Sequence, residues 1–345
     1  LTLSDDTSYL LLRRTLSFCS FMSVFSFCFV RFDENHLTAF KIALISIALL
    51  SSIGHYWDLI SIQYHHHREI EGFDLKKGLI TYSDILFKVN TWFLKDVTGS
   101  SRNGFIYISA FFMILLSDFF KGRFLYVRSV LLFLIAVGLS LTYAKATFVT
   151  MCLISFLFLL LYFKGTLGFY LHKKHFYAFL LFCALYLIFC VFHPGIVFFY
   201  FERLIAVYFS PEVFASELNN VSSSEGSRIS EWQHIIAESL RRPFLGSGFM
   251  GIWESKFDFN GSAHSQFFDV LYRTGFLGLM IYLAVIVVVG VALYRADTAL
   301  FLALMTCVVF GLFHESFKES HGALIFAILL WVSSDHFKEK KCFLT

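Results

Sequence analysis

The stretch Ser262–Leu293, SAHSQFFDVLYRTGFLGLMIYLAVIVVVGVAL, decides how the fold is read. Its second part, Phe276–Leu293, carries no charge and has the length and composition of a helix that crosses a bilayer. Its first part is mixed, with His264, Ser265, Gln266, Asp269 and Arg273 set among aromatic residues. His264 and Gly275 stand eleven residues apart, close to three turns of α-helix. A helix continuous through both would put them on one face. The expectation is a polar segment turning into a membrane span, with His264 at the mouth of a helix bundle on the water side.

The remainder of the chain fits a membrane setting. Of 345 residues, 57% are hydrophobic and 15% charged, with a mean hydropathy of +0.69. Soluble domains carry about 25% charged residues. Apolar blocks recur at 14–31, 38–60, 104–120, 124–144, 146–163, 176–201, 276–294, 298–313 and 322–334. They are continuous rather than alternating, which excludes a membrane β-barrel. An all-α polytopic membrane protein with about nine transmembrane helices is expected.

The basic residues between the blocks set the topology. They gather at Lys121, Arg123 and Arg128, at Lys164, Lys173 and Lys174, at Arg295, and at Lys338, Lys340 and Lys341. The positive-inside rule puts these clusters in the cytoplasm. Segments 61–103, 202–263 and 314–321, with the turn near Lys145, then face outward. The chain divides into N-terminal helices with an outer segment 61–103 (1–201), a large outer loop (202–263), and C-terminal helices with a cytoplasmic tail (264–345). Alternation leaves residues 1–12 outside. With Leu1 first and no signal peptide visible, a truncated N-terminus lacking an odd number of helices is expected. The net charge of +3 gives no sign of a nucleic-acid partner.

Neither a cofactor nor a metal is called for by the motifs. Cys19, Cys28, Cys152, Cys183, Cys190 and Cys307 lie in apolar runs, and Cys342 lies near the end; none forms a CxxC pair or a zinc spacing. They read as small hydrophobes. The side chains of His65, His66 and His67 point in different directions on any regular structure, which disfavours a joint metal site. The turn His314–His321 lacks the HExxH spacing and reads as an ordinary solvated turn, with a place for Glu315 or His321 near His264 as the alternative.

Cations stand out on the expected outer side. Lys145 interrupts an apolar stretch, and an ionisable residue there either snorkels to the interface or has a function. Arg102 opens a span, as an interfacial anchor or as part of an anion site. In the outer loop, Ser227 reads as the cap of a helix starting at Arg228. Ile229, Trp232, Ile235, Ile236 and Leu240 form one apolar stripe, and Pro243 and Gly246 end the helix. It is expected to lie stripe-down across the bundle, with Arg228 and the helix N-terminus making an anion site. Arg203, Arg241 and Arg242 either add to that charge or form a solvated surface.

A histidine, a lysine and arginines at the ends of spans, without a carboxylate pair or a Gly-rich phosphate loop, suit a substrate that brings its own diphosphate. A departing diphosphate needs charge neutralisation, and an attacking hydroxyl needs a base, which histidine supplies near neutral pH. These residues carry a resemblance. His264-Ser265, nine residues, Gly275, two residues, Gly278 is similar to the pattern of bacterial O-antigen ligases: His, then Asn, Ser or Gln, nine of any kind, Gly, two, then Gly, Thr or Tyr. SRISEWQHIIAESLRRPFLGSGF (Ser227–Phe249) resembles the periplasmic loop of that family, an Arg-led amphipathic helix ending in Pro-x-x-Gly-x-Gly.

The resemblance covers 100–335, with its motifs within 140–280. It implies a lipid-carrier-using glycosyltransferase of lipopolysaccharide biosynthesis, active at the periplasmic face of the bacterial inner membrane. The donor would be an undecaprenyl-diphosphate-linked glycan and the acceptor a sugar hydroxyl of lipid A–core, with inversion and without metal or cofactor. Arg228 matches the arginine that grips the diphosphate, with Lys145, Arg203 and Arg102 as further diphosphate contacts. His264 matches the base or acceptor-orienting group, and Ser265, Gln266, Gly275 and Gly278 complete the motif. Lys145 departs from the arginine usual there, keeping the charge but losing the bidentate fork. The alternatives are an O-antigen polymerase or a protein O-oligosaccharyltransferase using the same donor. A transporter or flippase of lipid-linked sugars fits less well, because few charged residues lie mid-span.

Overall fold

The computed structural model describes residues 34–66, 104–117, 124–142, 145–164, 173–192, 224–248, 263–314, 316 and 320–342. Every regular element among these residues is an α-helix. In chain order they are α1 (Glu34–His66), α2 (Gly104–Leu116), α3 (Leu125–Ser140), α4 (Lys145–Phe163), α5 (Lys173–Phe192), α6 (Ser224–Arg241), α7 (Gln266–Ala296), α8 (Thr298–Phe310) and α9 (Ser320–Cys342). Three stretches are long and apolar enough to cross a membrane: Asn35–Tyr56 in α1, Ala146–Phe163 in α4, and α7. Shorter apolar helices lie at Gly104–Leu116, Leu125–Ser140, Leu180–Phe192, Thr298–Phe310 and Gly322–Ser334. The described parts of the apolar blocks from 38–60 onward lie mainly on helices. The block at 14–31, the block ends 118–120, 143–144 and 193–201, residues 67–103 of the outer segment, and 202–223 and 249–262 of the outer loop lie outside the described residues.

The helices fall into two compact units, one within Asn35–Gly226 and one within Ser227–Thr345. In the first, α3 packs against α2 and α5, and α4 packs against α2 and α3. Without a hydrophobic drive between helices in lipid, close approach depends on small residues. A side chain at Gly104 would collide with Thr147, and one at Gly138 would collide with Ser52 and come within 2.8 Å of the Tyr107 ring.

This unit has a polar interior, where such groups belong in a membrane bundle. Ser51, Ser52 and His55 of α1, Ser109 of α2, Ser140 of α3, and Thr147 and Thr150 of α4 are all buried. The Ser140 and Tyr186 hydroxyls lie 2.6 Å apart. Arg128, read above as one of a cytoplasmic cluster, is buried. Its Nη1 donates to the Leu115 carbonyl at 3.3 Å, at the end of α2, where carbonyls lack helical partners.

In the second unit α7 packs against α8 and α9. Asp297 closes α7 and caps α8, its Oδ1 accepting from the Ala299 and Leu300 amides at 2.8 and 3.2 Å. Ile286, Val289 and Leu293 of α7 are buried, whereas Met280, Ile281, Val287, Val288 and Val291 are exposed and apolar. That is the composition of a helix with one side toward protein and one toward lipid.

Gly138→Leu is expected to destabilise the first unit by about 1–3 kcal/mol through overpacking. Gly290→Ala, whose new methyl would meet nothing closer than 3.7 Å, is the control and should be neutral or mildly stabilising. Thermal midpoints of the detergent-solubilised variants distinguish the two; equal midpoints would rule out the crossing at Gly138.

Candidate functional site

The site grows from α6, the turn after it, and the start of α7. Helix α6 begins at Ser224, one turn earlier than the Ser227 cap predicts. Arg228 consequently lies inside the helix and not at its first residue. The helix stops at Arg241, before Pro243, as its sequence requires.

The apolar stripe of α6 divides. Ile235 is buried with Ala263 and Tyr272, and Trp232 and Phe268 pack on that cluster. Trp232 and Phe268 stack with ring centroids 5.0 Å apart and planes 24° from parallel. Ile236 and Leu240 remain exposed, so the helix is only partly stripe-down.

The turn after α6 then clasps α7. Gly275 interrupts that helix with φ 67° and ψ −171°, a conformation essentially restricted to glycine. The break leaves backbone groups in need of partners, and the turn supplies them. Ser247 and Gly248 donate their amides to the carbonyls of Tyr272 and Arg273 at 2.8 and 2.9 Å, and Phe276 donates to Pro243 at 2.7 Å. A Cβ at Gly275 would lie 2.6 Å from the backbone of Pro243 and Phe244; one at Gly246, itself at φ 64°, would lie 2.6 Å from that of Arg273 and Gly275. Each glycine makes room for the other's strand of backbone. The helix shared by His264 and Gly275 in the sequence reading is therefore absent: α7 starts after His264 and breaks at Gly275. The expected beginning of the span at Phe276 coincides with the break.

His264 is held just ahead of α7. Its φ is 48°, and it is the one non-glycine residue with positive φ among the described residues. Histidine tolerates that region better than most side chains, yet such strain persists only where the surroundings impose it. Both neighbours are tied. Trp232 Nε1 donates to the Ala263 carbonyl at 2.9 Å. On the other side the Gln266 amide donates to the Gly311 carbonyl at 2.7 Å, and the Ser265 hydroxyl reaches the same oxygen at 3.4 Å. Ser265 and Gln266 are buried, whereas His264 is half-buried.

The Gly311 carbonyl belongs to the turn after α8. There His314 stacks on Phe310 at 4.9 Å, and buried Ser316 donates to the Cys307 carbonyl at 3.0 Å. This part of the turn is packed rather than freely solvated; Glu315 and the side chain of His321 lie outside the described residues.

Two participants escape a reading by motif. Arg273 Nε meets Asp269 Oδ2 at 2.8 Å, a largely buried ion pair on the first turns of α7. Its signal was the Asp-to-Arg spacing of four. Trp232 counted only as an apolar residue, and its N–H role had no sequence signal. A side chain at Gly278 would collide with Thr274 one turn before it. Lys145 opens α4 in the first unit. Its side chain and that of Arg228, and all of Arg102 and Arg203, lie outside the described residues.

A helical membrane protein with a strained histidine heading one span, clasped by a loop helix, is the class that fold and site define. Residues 130–283 match the family model described as O-antigen ligase, so this stretch of the chain is similar to that family. No curated protein matches the chain.

Gly275→Ala should cost about 1–3 kcal/mol at the clasp. Hydrogen exchange at the Ser247, Gly248 and Phe276 amides would rise, and unchanged protection would contradict the clasp. Trp232→Phe keeps the ring but removes the donor, and should lower stability by about 0.5–1.5 kcal/mol. An unshifted thermal midpoint would show that this hydrogen bond carries nothing.

Proposed function

We propose that this protein transfers a glycan from undecaprenyl diphosphate to a sugar hydroxyl of lipid A–core, at the periplasmic face of the bacterial inner membrane. The observation that carries this reading is His264. The histidine of the motif is the residue that the fold holds in a strained backbone conformation, tied on both sides, within the stretch 130–283 that matches the O-antigen ligase family model.

His264 takes the proton of the acceptor hydroxyl as its oxygen attacks the anomeric carbon. The bond from that carbon to the diphosphate oxygen breaks in the same displacement, and the anomeric centre inverts. The electron pair leaves with the diphosphate, which departs as an anion and needs no proton. Arg228 neutralises it, with Lys145, Arg203 and Arg102 as further cationic contacts. No metal or other cofactor takes part. In chain order the outer loop 202–263 joins the helices of 1–201 to those of 264–345, and it carries Arg228.

Deleting the gene and separating the lipopolysaccharide on a gel tests the transfer. Loss of glycan capping, with long lipid-linked chains accumulating, is the expected pattern. A single repeat left on the core would identify a polymerase, and unchanged lipopolysaccharide with unglycosylated protein would identify a protein transferase. Restoring the gene as His264→Ala should leave capping absent at a wild-type level of folded protein; normal capping would overturn the base assignment. Arg228→Ala should weaken use of the donor, whereas Lys145→Arg should preserve it, since the charge is kept.

A further inference from the structure

We infer that the tip of the α6 turn, Phe244 and Leu245, is a membrane wedge that inserts into the headgroup region of the bilayer, with Arg241 and Arg242 on the anionic phospholipids. The observation is an exposed apolar patch on the described residues of the turn. Leu240, Phe244 and Leu245 are 64%, 74% and 77% exposed, although α6 buries Ile235 on its packed side. Scattered exposed leucines need no explanation, but a cluster of large apolar residues at the tip of a polar loop does.

Its position selects the occupant. Phe276 donates to the Pro243 carbonyl at 2.7 Å, so the turn is fastened to α7 where its long apolar run begins. From there α7 presents exposed Leu277, Met280 and Ile281. The patch on the turn is thus continuous with the exposed apolar side of a helix that has the length and composition of a membrane span. It sits level with the start of that span, at the depth where an amphipathic element lies in the interface with its apolar side toward the acyl chains.

The charge agrees. Arg241 and Arg242 are exposed beside the wedge, with Arg241 joined to Glu238 at 2.6 Å. Arginines with long apolar stems suit a headgroup layer that carries negative charge. Anchored at its far end, α6 would be held down on the bilayer while its inner side packs beside His264.

The test uses the full chain in phosphatidylcholine vesicles, with and without phosphatidylglycerol. A photoreactive benzoylphenylalanine replaces Leu245, Met280 as a lipid-facing reference, or Gln233 as an exposed polar reference. Illumination should give phospholipid adducts at 245 and 280 and none at 233, read by mass spectrometry. Adducts at 280 but none at 245, or cross-links from 245 to another chain segment or a second copy, would overturn the wedge. In vesicles with phosphatidylglycerol, Arg241→Gln with Arg242→Gln should cut the anionic share of adducts at 245 by about fivefold or more, the weight of one cation at a charged surface. An unchanged share would overturn the headgroup assignment.

Discussion

Three backbone hydrogen bonds across Gly275 fasten the turn after α6 to α7. A helix that stayed regular through this residue would have no carbonyls to offer at Tyr272 and Arg273 and no free amide at Phe276. The loop helix would then have nothing to fasten to except side-chain packing. The break costs α7 part of its own ladder, and the Pro243–Gly248 turn returns those bonds from outside. This arrangement requires glycine on both sides. Either Cβ would stand 2.6 Å from opposing backbone atoms, and backbone cannot rotate away as a side chain can.

What the clasp positions is a histidine under strain. Ala263, ahead of it, is fixed by Trp232 from α6; Gln266, behind it, is fixed by the Gly311 carbonyl from the α8–α9 connection. Three elements distant in sequence thus meet around one peptide turn. Such a turn keeps a side chain at a set place without giving it a place in a helix. The proposed role of His264 as a base calls for such placement, since misplacement by an ångström is costly. The Asp269–Arg273 pair is a largely buried ion pair on the turns of α7 that lie between Ser265 and Gly275.

Much of this was legible in the sequence, for physical reasons. Bilayer thickness makes an apolar block long and continuous, so the run after Phe276 announced its helix. Pro243 ended α6 as its missing amide and ring demand. The spacing from His264 to Gly275 was equally visible, but as one helical face; what it encodes is a left-handed residue before the helix and a break within it. Spacing alone does not distinguish these, because the partner that stabilises the break is some thirty residues upstream. The start of α6 differs from the Ser227 reading by one turn because the sequence offers several serines between 222 and 227, any of which can cap a helix by composition. The buried hydroxyls around Gly138 and the stacking of Trp232 on Phe268 depend on neighbours from other helices. No local pattern carries them.

The transfer proposed above draws on a diphosphate carrier and needs no metal, being served by the chain's own histidine and cations. The most direct measurement incubates the purified full chain with a polyprenyl-diphosphate-linked glycan and lipid A–core in excess EDTA. Glycosylated core and free polyprenyl diphosphate should appear in equal amounts. Product that forms only when a divalent cation is restored, or carrier released without glycosylated core, would contradict it.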